Sequence, residues 1–227
     1  MTIPSTLDAL EHLRRHAANL SPVPLRGRFH AHLTVSIAGE ELSRLEGVCR
    51  EQKTKLTVID LDSWDGRSQR DVMTTSYYLE EGDDSLIRII ENLKTLGEAL
   101  ERAGFPVVRA KLEHESQPSL SQFSESQYHE VHIKLAIPGA ELAKSTEALR
   151  VLGAKSGFVA SRNPREVRGE VAMQFVNLRI YSGTEDEASR RIEEIQAELV
   201  SHEFQVEEIK RETVVFDTRQ SLDAWWA

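Results

Sequence analysis

Two histidines, His30 and His32, lie two residues apart in the stretch Phe29-His30-Ala31-His32-Leu33-Thr34-Val35, where polar and apolar residues alternate. On an extended strand they share one face with their imidazoles about 7 Å apart, a separation at which two side chains can chelate a transition metal. One hundred positions on, Tyr128-His129-Glu130-Val131-His132-Ile133-Lys134-Leu135 alternates in the same way and sets His132 between Glu130 and Lys134. A metal would draw on His30, His32, His132 and Glu130. The fixed cations Lys134 and Arg179 oppose a bound cation, so no metal is favoured. Paired imidazoles also suit general acid–base work, which singles out His32 and His132 as candidate catalytic groups. Around them, His30, Thr34, Tyr78, Glu130, Lys134, Arg162, Asn177, Arg179 and Tyr181 are the candidates for holding a phosphate or carboxylate, arginine offering a bidentate fork. Arg179 is also placed to form an ion pair with Glu130 on the neighbouring strand.

These side chains share a surface only if the strands beneath them are arranged to allow it. Alternation assigns Phe29, Ala31, Leu33 and Val35 to a helix-covered face and His30, His32 and Thr34 to the other. It likewise separates Val131, Ile133, Leu135 and Ile137 from Glu130, His132 and Lys134. A third strand divides into Val176, Leu178 and Ile180 against Phe175, Asn177, Arg179 and Tyr181.

The chain matches itself along most of its length. His32, Gly39, Glu41 and Leu42 fall on His132, Gly139, Glu141 and Leu142 at an offset of 100. Tyr78 and Ile89 fall on Tyr181 and Ile192 at 103, and Phe105, Val107, Lys111 and Glu113 fall on Phe204, Val206, Lys210 and Glu212 at 99. Each half reads β-α-β-β-α-β, with amphipathic helices carrying Leu42, Leu45, Val48 and Cys49, then Leu86, Ile89, Ile90, Leu93, Leu96 and Leu100. Gly104 stands where a helix end needs a left-handed residue. The expected fold is therefore α+β: two tandem ferredoxin-like (βαββαβ) repeats related by a pseudo-twofold axis. A helical N-terminal extension (1–27), opened by a capping box of Ser5 with Asp8, precedes repeat 1 (28–114). A linker (115–127), repeat 2 (128–213) and a tail (214–227) with Trp225 and Trp226 follow.

His32-Leu33-Thr34 has the His-x-Thr form, partnered by His132-Ile133-Lys134, and in this the chain resembles the two-histidine phosphoesterases. That resemblance implies His32 and His132 as acid and base, with Thr34 on a phosphate oxygen. Lys134 departs from the family's second hydroxyl. The strand pair FHAHLTV and YHEVHIKL, the run Ser161-Arg162-Asn163 and the ending VFDTRQSLDAWW also resemble a bacterial family of duplicated ferredoxin-like α+β proteins with no assigned activity. It implies the architecture and no mechanism.

The 227 residues carry 37 Asp+Glu against 28 Lys+Arg, a net charge of -9 that speaks against broad nucleic-acid binding. No run of 18 apolar residues suggests a membrane span, and the first residues have no secretory-signal pattern. A single cysteine, Cys49, fits a reducing cytoplasm and sits on an apolar helix stripe. No Walker loop, GxGxxG, GxSxG or CxxC motif is present, so no cofactor is named, and nothing speaks to oligomeric state. The expectation is a protein that binds a small anionic ligand in a polar cleft between the two sheets, with acid–base chemistry open to it. The alternatives are a regulatory or scaffold protein whose polar faces form only an inter-repeat interface, and a two-histidine phosphoesterase.

Overall fold

Strands with one apolar and one polar face need a helical layer on the apolar side, and the chain supplies it. The structure is a computed structural model that describes residues 5–19, 26–62, 68–82, 84–115, 128–181 and 185–220. The elements run α1 (Thr6–Asn19), β1 (Gly27–Val35), α2 (Leu42–Glu51), β2 (Lys55–Asp62), β3 (Ser68–Glu80), α3 (Ser85–Arg102), β4 (Val107–Glu115), β5 (Tyr128–Pro138), α4 (Leu142–Ser156), β6 (Val159–Arg168), β7 (Val171–Ile180), α5 (Glu185–Ser201) and β8 (Gln205–Asp217). Linker residues 116–127 and the Trp225-Trp226 end lie outside the described residues.

The hydrogen-bonded strand order corrects the expected fold. It runs β1-β3-β2-β6-β7-β5-β8-β4 and closes on itself, an eight-stranded antiparallel β-barrel, with five α-helices among the described residues. The two tandem ferredoxin-like sheets of an α+β protein are thereby replaced by a single closed set of strands. The physical reason lies at the edges, where an unpaired strand exposes a row of N–H and C=O groups that invites further pairing. Asp60, Leu61 and Asp62 of β2 take Arg162, Ser161 and Ala160 of β6 as partners. Past the end of β8, Thr218 donates its N–H to the Ala110 carbonyl (3.0 Å) and accepts the Ala110 N–H on Oγ1 (2.9 Å).

The chain divides into two compact units. Unit 1 comprises Met1–Thr57, Val72–Glu115 and Val214–Gln220; unit 2 comprises Val58–Asp71, Ser116–Thr213 and Ser221–Ala227. In unit 1, Phe29, Ala31 and Leu33 of β1 and Ile89, Ile90, Leu93 and Leu100 of α3 are fully buried. Gly97 of α3 lets the helix approach closely, since a Cβ there would stand 2.7 Å from Leu7 of α1 and 3.7 Å from Leu33. The capping box opens α1, with Ser5 Oγ accepting the Asp8 N–H (3.1 Å). In unit 2, Val131, Ile133, Leu135 and Ile137 of β5 pack with Leu149 and Leu152 of α4 and with Ile192, Ile195 and Leu199 of α5. Both first strands thus turn their apolar residues to the helices, and His32 and His132 fall on the opposite face. Among the described residues no helix is long and apolar enough to cross a membrane.

Candidate functional site

In unit 1, β1 lies between β3 and β4, so His32 has a neighbour on each side. His32 Nδ1 lies 3.1 Å from Thr75 Oγ1 on β3, and Nε2 lies 3.0 Å from Glu113 Oε2 on β4. Thr75 Oγ1 also meets Thr57 Oγ1 of β2 at 2.8 Å. Lys111, two residues before Glu113 and so on the same face of β4, sets Nζ 2.5 Å from Glu113 Oε1. A carboxylate accepts only, so Glu113 requires a proton on Nε2. In the neutral ring Nδ1 is then an acceptor, filled by the Thr75 hydroxyl, which in turn accepts from Thr57. With His32 neutral, Thr57 → Thr75 → His32 → Glu113 ← Lys111 runs as one directed chain of donors.

Unit 2 builds the corresponding network with a different outcome. Asn177 on β7 donates Nδ2–H to the Val159 carbonyl (3.1 Å) and to Ser161 Oγ (2.8 Å). A carbonyl cannot donate, which fixes the amide's orientation and makes Oδ1 the atom 2.8 Å from His132 Nδ1. His132 must therefore carry a proton on Nδ1. Its Nε2 faces Glu212 Oε2 at 3.3 Å and Glu130 Oε2 at 3.6 Å, where a lone pair would be repelled and a second proton is stabilised. The geometry favours an imidazolium. Arg179 brings Nε (2.8 Å) and Nη2 (2.7 Å) to Glu130 Oε1, the ion pair expected from the sequence, and Lys210 Nζ lies 2.9 Å from Glu212 Oε1. Glu113, Glu130 and Glu212 are all buried. Burying a charge costs several kcal/mol unless it is paired, and each of the three meets a histidine and a lysine or arginine.

The remaining candidates scatter. His30 shares the face of His32, sets Nε2 3.1 Å from Glu115 Oε1, packs edge-on against Tyr77 (4.8 Å), and has a ring nitrogen within 4.8 Å of the Glu113 carboxylate. Thr34 is buried, in register with Met73 and Arg109. Lys134 stands over the Phe175 ring at 5.7 Å. Tyr181 is half-exposed and lies 5.1 Å from Tyr128, whose ring Arg179 also covers. Two placements are corrected. Tyr78 pairs with Phe29, not with a histidine, and so lies on the helix side, where burial pushes its phenol above the ordinary value. The offset of 103 carried Tyr78 onto Tyr181. The observed pairs His32↔Thr75 and His132↔Asn177 set it at 102 on this strand, and one residue reverses the face. Arg162 is in register with Gln174, which reaches Thr146 of α4, so Arg162 stands on the helix side and approaches Asp60 at 3.4 Å.

Glu113, Lys111, Glu212, Lys210, Thr75 and Thr57 are the participants that sequence reasoning did not single out. Lys-x-Glu at 111–113 and at 210–212, polar residues spaced two apart in corresponding strands, was the available signal. No protein-family model matches the chain, and no curated protein matches it in sequence.

Proposed function

We propose that the polar face of unit 2 binds a small molecule through a phosphate or carboxylate group, with His132 as imidazolium at the centre of the site. The observation that carries this reading is the fixed orientation of Asn177, which commits His132 Nδ1 to a proton and leaves Nε2 before two carboxylates. His132, Lys134 and Lys210 bring cations to this face, and Arg179 is committed to Glu130. Depth sets two of the cations, His132 and Lys210, above the carboxylates. The side chains of His132 and Lys210 are 27% and 31% exposed, whereas those of Glu130 and Glu212 are 4% and 3% exposed. An approaching anion meets His132 and Lys210 first, whereas Arg179, 4% exposed, lies at the depth of its partner Glu130. Buried, solitary Cys49, whose thiol burial pushes up to about 11, fits a protein working in a reducing cytoplasm.

The test is calorimetric titration of the full chain with inorganic phosphate and with succinate at low ionic strength. The native protein is expected to bind at least one of them. His132→Gln and Lys210→Met are each expected to weaken binding about tenfold, ~1.4 kcal/mol, while His32→Gln leaves it unchanged. No binding by the native chain, or equal binding by His132→Gln, overturns the proposal. Turnover of bis(p-nitrophenyl) phosphate, lost in both His32→Ala and His132→Ala, would instead support the two-histidine phosphoesterase reading.

A further inference from the structure

Unit 1 holds a hydroxyl, an imidazole and a carboxylate in series, and the anion site proposed for unit 2 makes no use of them. We propose that Thr75 is a nucleophile, His32 its general base and Glu113 the group that orients the base, and that together they form an acyl-transfer site for small activated esters. Thr75 Oγ1 lies 3.1 Å from His32 Nδ1, and His32 Nε2 lies 3.0 Å from Glu113 Oε2, so one ring links the hydroxyl to the carboxylate. This is the spacing a nucleophile–base–orienter relay requires. Lys111 Nζ, 2.5 Å from Glu113 Oε1, holds the carboxylate in position against His32 Nε2.

The step balances without any further reactant than water. Thr75 Oγ bonds to the ester carbonyl carbon as its proton passes to His32 Nδ1, and the imidazolium that forms is stabilised by Glu113. The bond from carbon to the alkoxy oxygen then breaks, the Nδ1 proton passes to the departing alcohol, and Thr75 carries the acyl group. Water attacks the same carbon, gives a proton to Nδ1, and the proton returns to Thr75 Oγ as the acid leaves. The Thr57 hydroxyl, 2.8 Å from Thr75 Oγ1, can turn from that oxygen to the negative charge that develops on the carbonyl oxygen. Thr75 is 4% exposed, which restricts the acyl group to a very small one such as acetyl. Unit 2 supplies an internal control: Asn177 stands in the place of Thr75, so its histidine has no hydroxyl to activate.

The experiment exposes the full chain to p-nitrophenyl acetate, follows p-nitrophenolate release, and weighs the intact protein after acid quench. The native chain is expected to show a burst and the added mass of one acetyl group, which peptide mapping places on Thr75. Thr75→Ser should retain the adduct. Thr75→Val should lose it, and His32→Gln should slow acylation roughly 100-fold or more, with circular dichroism confirming that each variant is folded. A native chain that takes up no acetyl group, or an adduct that persists in Thr75→Val, overturns the proposal.

Discussion

His32 and His132 hold corresponding places on β1 and β5, yet their protons are arranged differently. His32 accepts from a threonine on β3 and gives Nε2–H to one buried glutamate. His132 gives Nδ1–H to an asparagine on β7 and turns Nε2 to two. A hydroxyl can donate or accept, whereas an amide whose nitrogen is already committed can only accept at its oxygen. The neighbouring-strand residue sets which way the Nδ1 hydrogen bond runs, and the second carboxylate, Glu130 where unit 1 has His30, adds to the charge that favours a cation at His132.

The largest expected effects come from the buried arginine pairs, one in each unit. In unit 1, Arg109 reaches Asp217 with Nε at 2.9 Å and Nη2 at 2.5 Å. In unit 2, Arg179 reaches Glu130. Removing one partner leaves a charge buried with less compensation, so Asp217→Asn and Arg179→Met should each cost about 3–5 kcal/mol in urea unfolding. Losses below about 1 kcal/mol would show that neither pair matters to its unit. Acid dependence separates the two variants further. Burial pushes the Asp217 carboxyl up, but the hydrogen bonds and charge of Arg109, with the Arg219 N–H, carry it below its ordinary value. A folded value below the unfolded one means that the pair's stabilisation is complete above the ordinary aspartate range and fades as pH falls through the lowered value. The Asp217→Asn chain should lack that portion of the acid transition.

Alternation made the faces of β1 and β5 legible, because apolar residues every second position have only one side to bury. It also paired Arg179 with Glu130 across adjacent strands. Two things were beyond it. Edge closure depends on partners remote in sequence, such as Asp60 with Arg162, and no local pattern announces such a pairing. The polar residues of the expected fourth strand were the other omission. Lys111 and Glu113 match Lys210 and Glu212, a correspondence that marked likeness between the halves before it marked chemistry. Only the placement of β1 between β3 and β4 turns those residues toward His32. Tyr78 was misplaced by one residue for a related reason: an insertion or deletion in a loop alters the offset without altering the strand's period.

A smaller effect addresses the histidines directly. Asn177→Thr would give His132 the hydroxyl neighbour that His32 has, and should cost about 1–3 kcal/mol through the carbonyl of Val159 and the hydroxyl of Ser161 left without the amide. Nitrogen-15 NMR of the native chain at neutral pH should show both ring nitrogens of His132 protonated and only Nε2 of His32. In Asn177→Thr, the Nδ1 proton of His132 should be lost while His32 is unchanged. A native His132 with one bare nitrogen would erase the contrast between the units.

The helix ends give the smallest effect and divide the units in another way. Three helices close with the same pair of backbone bonds: Lys53 N to Arg50 O with Thr54 N to Cys49 O after α2, Gly104 N to Glu101 O with Phe105 N to Leu100 O after α3, and Glu203 N to Val200 O with Phe204 N to Leu199 O after α5. Each closure needs one residue in the left-handed region. α3 and α4 place Gly104 and Gly157 there, at φ 84° and 66°, whereas α2 and α5 place Lys53 and Glu203, at φ 54° and 65°. A side chain there costs about 1–2 kcal/mol, and glycine returns part of that gain through the greater freedom of the unfolded chain. Lys53→Gly and Glu203→Gly should therefore each stabilise the protein by roughly 0.5–1 kcal/mol, read as a higher urea midpoint at unchanged slope. A lower midpoint in either variant would mean that its side chain makes a contact worth more than the strain it imposes.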